Sequence, residues 1–390
     1  MKGRAFLLSL LLGTLTACTT VPPLPIQRPA PFSIAGGTTG TGGTTEVSYS
    51  FKTHDGQLMA ARLTLPASVS GRVPVAIFIG GSGTWDSNYF QWTSENKPNF
   101  VLPIRGLARQ AAQAGIAFIR YQKRGTSDPG GQPTEQWKTA QLDNLLADTR
   151  TLLAKVKADP RLDGSRIALI GHSEGTMLST WVGGTDPDVK GFVMLGLVRR
   201  NLKDVYRSQL VTHNGGVFFA KADIQPTDGF LDTAEIEKAK AKGMRFDKWQ
   251  SFDQDHDSRL SKAEYLALLG SYYDEWVRNI EQAKPEVLVP GNWSPAGWFQ
   301  QHYRHPTVGE AWQSIQTPVL VLQGKWDINT PVTTESEPFE AMLTARHHPD
   351  HRLVEFEGLD HTFRDASGVS HADKPFELIV PWLRQHLGGC

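Results

Sequence analysis

The sequence predicts an α/β fold: a mostly parallel central sheet flanked by helices, with a helical segment inserted into it. Three observations predict it. Short apolar runs such as VPVAIFIGG (73–81), RIALIG (166–171) and PVLVLQG (318–324) end in glycine, as strands buried on both faces do. Stretches with helical spacing lie between them, and alternation of the two periods is the mark of a parallel sheet. The segment from about 200 to 312 breaks the rhythm, because it is rich in charge and tryptophan and carries helical spacing without strand-like runs.

The chain has 390 residues, with Lys plus Arg and Asp plus Glu both at 40. That balance gives no basic excess, which argues against nucleic acid as a partner. Lys2 and Arg4 precede the short apolar run AFLLSLLLGTL. A basic start and a run too short to span a bilayer predict a secretory signal peptide over 1–17. Leu15-Thr16-Ala17-Cys18 resembles the bacterial lipobox, which implies cleavage before Cys18 and a diacylglycerol anchor on its sulfur. The expected location is extracytoplasmic, anchored to a bacterial membrane. Residues 18–45, dominated by Pro, Gly and Thr, read as a flexible tether. The other cysteine is Cys390. With Cys18 lipidated no internal disulfide can form, so apolar burial must hold the core.

From residue 46 the elements follow in order. Residues 47–66 predict a hairpin turning at Asp55-Gly56. Strands are expected at 73–81, 117–122, 166–171 and 189–197, with helices at 104–114, 141–158 and after Ser173. Leu142, Leu145, Leu146, Leu152 and Leu153 give the second helix its apolar stripe. After the insertion come a strand at 318–324, a helix near 337–346, a strand at 351–358 and a last helix at 375–387. The resulting division is a core of 46–200 and 313–390 with an inserted segment of 201–312.

Gly171-His172-Ser173-Glu174-Gly175 fits G-x-S-x-G. The pattern by itself is common; a strand before it and a helix after it give it meaning. A sharp strand-to-helix turn needs glycines on either side of the serine, and it lifts the hydroxyl above the sheet edge. It also puts the Glu174 amide at a helix N-terminus, where it can donate to an oxyanion. A serine hydroxyl needs a base, and the base needs an orienting acid. Asp327 follows the 318–324 strand and His361 follows the 351–358 strand. Asp360 ranks below Asp327 as the acid because it follows the same strand as His361. The second oxyanion donor is expected from Gly80-Gly81-Ser82-Gly83-Thr84, first the Ser82 amide and then that of Gly81.

These residues carry a resemblance. His54-Asp55-Gly56, Ser82 in GGSG, Arg120 to Gly125 (RYQKRG) and the GHSEG elbow resemble the α/β-hydrolase superfamily. The branch they are most similar to holds esterases, acyl thioester hydrolases and serine peptidases. The resemblance implies an α/β-hydrolase fold, with the inserted segment forming a cap over the active site. It implies a nucleophile–acid–base order of Ser173, Asp327 and His361, and hydrolysis of a small-molecule ester through an acyl-enzyme without a catalytic cofactor. A peptidase or thioester hydrolase would use the same groups. A calcium-binding surface protein on an inactive hydrolase fold is the alternative of another class. Two departures stand out: Gln122, where relatives often carry Asp, and Thr176, where a third glycine is common.

The insertion carries a second pattern. Residues 253–264, DQDHDSRLSKAE, have EF-hand loop spacing. Expected calcium ligands are Asp253, Asp255, Asp257, the Arg259 carbonyl, Ser261 and Glu264, with Ser258 where glycine is usual. Helical stretches are expected on either side, at Lys248–Phe252 and Lys262–Ile280. Residues 224–235 resemble a degenerate partner loop, since Ile224 and Pro226 cannot chelate through their side chains. The ion is expected to be structural. Two or three of Trp249, Trp276, Trp293, Trp298, Phe299, Tyr303 and Trp312 are expected to line an apolar pocket, the rest to form the insertion's own core.

Overall fold

The computed structural model describes residues 39–40, 43–68, 71–92, 98–223, 228–291 and 294–388. The predicted signal peptide, Cys18, most of the tether and Cys390 lie outside the described residues, as do Ile224, Pro226 and Trp293.

Eight main strands form one sheet: β1 (Thr44–Ser48), β2 (Ala61–Pro66), β3 (Val73–Ile79), β4 (Ala117–Tyr121), β5 (Leu162–His172), β6 (Val189–Leu195), β7 (Val319–Gly324) and β8 (His351–Phe356). Their order is β1-β2-β4-β3-β5-β6-β7-β8, and a two-residue strand at Thr39–Gly40 extends the β1 edge. β1, β2 and β4 are joined by antiparallel pairings, and every pairing from β4 to β8 is parallel. The sheet therefore begins before residue 46, and the tether read as running to 45 is shorter than expected. Thr44 and Thr45 pair through backbone groups with Pro66 and Leu65. These backbone pairings need no apolar side chains, so the start of the strand has no apolar signature to read.

The helices of the core are α1 (Ile104–Gln113), α2 (Leu142–Ala158), α3 (Glu174–Gly183), α10 (Ser336–Ala345) and α11 (Asp373–Leu387); those of the insertion, α4 to α9, are given below. Alternate residues of β3 feed two cores. Val75, Ile77 and Ile79 pack on the side of α2 and α3, while Ala76 and Phe78 pack on the side of α1 and α11. Burial on both faces is why the strand reads as an unbroken apolar run. At a rough 25 cal/mol per Å² of apolar surface, such a two-sided core is the main favourable term in folding.

The quoted motifs turn out to be buried ionic joints. Arg124 is fully buried and grips Asp148 of α2 (2.5 and 2.6 Å) and Asp55 of the first hairpin (2.6 and 3.1 Å). Arg120 donates to Glu46 at 2.6 Å and to Thr64 at 3.1 Å, tying β4 to β1 and β2. Gln122 accepts from the Ala60 amide (3.2 Å) and donates to the Thr126 carbonyl (3.1 Å). An amide can do both where a carboxylate can only accept. Thr176 is likewise used: its hydroxyl donates to Ser173 O (2.7 Å) and accepts from the Val198 amide (3.1 Å).

The insertion lies between β6 and β7, which are neighbours in the sheet. It holds α4 (Leu202–Arg207), a π-helical turn (Ser208–His213), α5 (Asn214–Ala222), α6 (Thr233–Ala241), α7 (Lys262–Gln282), α8 (Ala296–Arg304) and α9 (Val308–Ala311). Phe230–Leu231 pairs antiparallel with Leu260–Ser261, so the two loop-like sequences meet in a small ribbon. The helix expected at Lys248–Phe252 is not formed. Only Trp249–Ser251 makes a 3-10 turn, preceded by Lys248 at φ 63°. Trp249 is buried there, and its packing overrides the short helical pattern.

Candidate active site

β5 climbs to Ser173, and the chain reverses there into α3. Ser173 has φ 55° and ψ −122°, a backbone conformation that costs a non-glycine residue about 1–3 kcal/mol. The glycines on either side are required by space. A Cβ on Gly171 would lie 2.4 Å from the Gly175 carbonyl oxygen, and one on Gly175 would lie 2.0 Å from the Ile79 carbonyl oxygen. The Ser173 amide bonds to the Leu195 carbonyl at 2.9 Å, which pins the turn to β6.

Asp327 and His361 arrive at the same sheet edge from β7 and β8. His361 Nδ1 lies 2.6 Å from Asp327 Oδ2. The same oxygen accepts from Gln323 Nε2 (2.6 Å) and Thr330 Oγ1 (2.7 Å), and Oδ1 accepts the amides of Asn329 and Thr330 (both 2.8 Å). The carboxylate is thus fixed from every side. Burial pushes the His361 pKa down, but the Asp327 charge and hydrogen bond, helped by Asp360, hold it above the ordinary histidine value. Gly196 makes room for this ring: at φ 59°, a Cβ there would lie 2.7 Å from the imidazole Cε1. Asp360 bonds instead to the Thr362 and Arg364 amides (2.8 and 2.9 Å), as its lower rank predicts.

Ser173 and His361 line one pocket of about 340 Å³, together with Gly81, Ser82 and Glu174. Among the described residues no hydrogen bond joins the serine hydroxyl to the imidazole. Such bonds are often long before substrate arrives.

The amides of Ser82 and Glu174 have no acceptor among the described residues, so both are available to a ligand in the pocket. Gly81 is not: its amide donates to Tyr89 Oη at 2.9 Å, which removes it as an oxyanion donor. The reason is a relay that local sequence does not display. Tyr89 Oη lies 2.7 Å from His172 Nδ1, and His172 Nε2 lies 3.0 Å from the His361 carbonyl. A carbonyl only accepts, so Nε2 carries the proton and Nδ1 accepts from the tyrosine. Burial, then the nearby His361, pushes the His172 pKa down to about 3, so the ring is neutral. This chain joins the loop after β3, the elbow and the loop that carries His361.

Glu174 is buried as well. Its Oε2 meets Lys123 Nζ at 2.5 Å, and Oε1 accepts from Trp298 Nε1 at 2.6 Å, with His302 Nε2 3.3 Å away. Burial pushes its pKa up, but the Lys123 charge, with His302, overcomes this and holds it at about 2. Lys123 also donates to the Gly81 carbonyl at 3.1 Å. Of the aromatic residues expected at the pocket, none that is described lines it. Trp249, Trp298, Phe299 and Trp312 are buried in the core, and Trp276 and Tyr303 pack against it. The aromatic lining comes from Trp85, Tyr89, Phe100 and Tyr206.

In the EF-hand-like loop, carboxylate oxygens of Asp253, Asp255 and Asp257 lie within 4.8 Å of one another. Glu264 stands outside that group, accepting from the Gln254 and Ser261 amides (2.7 and 2.8 Å). The Ser261 hydroxyl bonds to Glu264 (2.8 Å) in a capping box that starts α7. Ser258 adopts φ 64°, the left-handed turn its place in the loop requires, and its amide donates to Asp253 (2.9 Å). Arg259 extends its side chain to Asp257 and Asp228.

Residues 76–379 match the sequence pattern of the alpha/beta hydrolase family. The chain belongs to that family. No curated relative matches the sequence. Among solved structures, this hydrolase is similar to a hypothetical protein of Pseudomonas aeruginosa (TM-score 0.50, 16% identity, covering 89% of this chain and 95% of that one). It is also similar to a puromycin-hydrolyzing peptidase of Mycobacterium tuberculosis (TM-score 0.50, 16% identity, 89% and 40%) and to an esterase of Pyrococcus furiosus (TM-score 0.48, 12% identity, 88% and 92%). At these identities the likeness is one of fold. No helix among the described residues is long and apolar enough to cross a membrane.

Proposed function

We propose that this hydrolase cleaves carboxylic esters with Ser173 as nucleophile, His361 as general base and acid, and Asp327 as the orienting carboxylate. The observation that carries the proposal is the 2.6 Å Asp327–His361 bond opening onto the same pocket as a serine on a strained elbow. Ser173 Oγ attacks the carbonyl carbon as its proton passes to His361 Nε2. The oxyanion meets the Ser82 and Glu174 amides, and losing one such donor costs on the order of 10²–10³ in turnover. The tetrahedral intermediate then expels the alcohol, which takes the proton from Nε2. Water, deprotonated by the same nitrogen, releases the acid and restores the serine. A fluorophosphonate probe is expected to label Ser173, and Ser173→Ala to abolish both labelling and nitrophenyl ester hydrolysis. A folded wild-type protein that resists the probe would point instead to a binding protein. Aminoacyl amides run beside the esters separate a peptidase, which would use the same groups.

The proposal extends to calcium as a structural ion. The three converging aspartates and the left-handed Ser258 turn fit a hard cation, which Asp253, Asp255 and Asp257 would hold, joined by the Arg259 carbonyl, Ser261 and Glu264. Glu264 would have to exchange its present hydrogen bonds for the ion. Addition of calcium to chelator-treated protein is expected to raise Tm, and Asp253→Ala to remove the rise; equal melting with and without calcium sinks this part.

The first eighteen residues support a lipid anchor at Cys18 and an extracytoplasmic location. Metabolic labelling with palmitate is expected to mark the wild type and spare Cys18→Ser. Labelling that survives the substitution removes the anchor.

A further inference from the structure

The ionisable groups that line the pocket are nearly all engaged. Glu174 is bound by Lys123, His172 is neutral, and His361 faces Asp327. Arg364 differs. It is half-buried, stands three residues after His361 and lines the same pocket. Its guanidinium donates to two backbone carbonyls, Nη1 to Gly368 at 3.0 Å and Nη2 to Phe100 at 2.8 Å. Among the described residues no carboxylate pairs with it. Its other N–H groups have no acceptor among the described residues, although an arginine has five to place. The remaining polar lining, including Asn99, Gln209, Asn329 and Thr362, is uncharged. Among the described residues, the pocket therefore holds a cation without a paired carboxylate.

The base of that cation is fixed relative to the imidazole. The Asp360 amide bonds to the Arg364 carbonyl (2.9 Å), the Phe363 amide to the Asp360 carbonyl (3.0 Å), and the Arg364 amide to Asp360 Oδ1 (2.9 Å). Phe363, at φ 55° and fully buried, closes the turn. The Asp360 carboxylate accepts on Oδ1 from the Thr362 amide and hydroxyl and from the Arg364 amide, and among the described residues it makes no hydrogen bond or ion pair with the guanidinium. A planar fork held at one end of a pocket is suited to a bidentate carboxylate.

We infer that Arg364 sets substrate class: the preferred esters carry a free carboxylate away from the scissile carbonyl, and Arg364 pairs with it. This rests on the serine hydrolase reading above. The carboxylate can belong to the acyl group, as in a dicarboxylic half-ester, or to the leaving alcohol.

Two matched pairs test both placements. Mono-4-nitrophenyl glutarate is compared with 4-nitrophenyl butyrate, and 4-butyryloxybenzoate with its methyl ester. The wild type is expected to favour the charged member of one pair in kcat/KM, by about ten- to a hundredfold. The pair that shows this identifies the side carrying the charge. Arg364→Gln is expected to erase the preference, mainly through KM, while the neutral esters change by about twofold at most. Arg364→Lys is expected to retain part of it, and added salt to weaken it. The inference is overturned if the wild type prefers neither charged ester. It is overturned also if Arg364→Gln lowers both members of a pair alike, which is the mark of an arginine that only clamps the backbone at Phe100. Calorimetry on Ser173→Ala with monomethyl glutarate and methyl butyrate reads the arginine without turnover. Failure of the fluorophosphonate to label the wild type would sink the serine mechanism, and the calorimetric preference would then decide this inference alone.

Discussion

Asp327→Asn is expected to lower kcat for a nitrophenyl ester by about 10⁴-fold while leaving the fold intact. Asp327 Oδ2 accepts from His361 Nδ1, and in the proposed mechanism this leaves the Nε2 lone pair for the serine proton. An asparagine nitrogen facing Nδ1 would demand the opposite tautomer. The pH profile supplies the second readout. The base must be the free imidazole, and Asp327 raises the His361 pKa, so wild-type activity is lost as pH falls through that raised value. Without the carboxylate, the acid limb should move to lower pH even as the plateau drops. A plateau loss without that shift would mean that Asp327 acts on the structure rather than on the imidazole.

Lys123→Met is expected to damage stability and catalysis together. Lys123 is the countercharge of Glu174, and both are buried. Removing one partner of a buried ion pair typically costs about 3–5 kcal/mol, because the other charge stays without compensation. Urea unfolding measures the cost. The sign of the pH dependence follows from Glu174, whose folded pKa is held at about 2. Its contribution is present above the ordinary carboxylate value and fades as pH falls towards 2, so the variant should lose this acid dependence. Lys123 also holds the Gly81 carbonyl, next to the Ser82 amide, while Glu174 carries the other candidate oxyanion amide. Turnover should therefore fall by roughly 10²–10³ with the serine still labelled. Unchanged stability at neutral pH would contradict the assigned pairing.

The parallel strands were legible because burial on both faces leaves unbroken apolar runs, and the elbow because its glycines answer to contacts of 2.0 and 2.4 Å. Asp327 could be picked out because it follows such a strand, and His361 because it follows the next one, the partly exposed edge strand β8. The relay through Tyr89 was not legible: its hydroxyl reaches His172, 83 positions away, and no local periodicity records that contact. The pocket's aromatic residues were misplaced for a related reason. Tryptophan content marks a segment that packs: Trp276 and Trp298 both pack on Phe299, and Trp312 packs on Phe192 of β6, rather than lining the cavity. The start of β1 was hidden because Thr44 and Thr45 are held through backbone pairings on both sides and carry no apolar pattern.

The cross-tie between Trp298 and Glu174 has a consequence for how this enzyme can be altered. An indole of α8 holds the carboxylate of the residue that follows Ser173. Trimming away the inserted helices to leave a minimal hydrolase would strip a partner from a buried anion beside the nucleophile. A swap of this segment between relatives should succeed only when the tryptophan, the glutamate and Lys123 travel as a set.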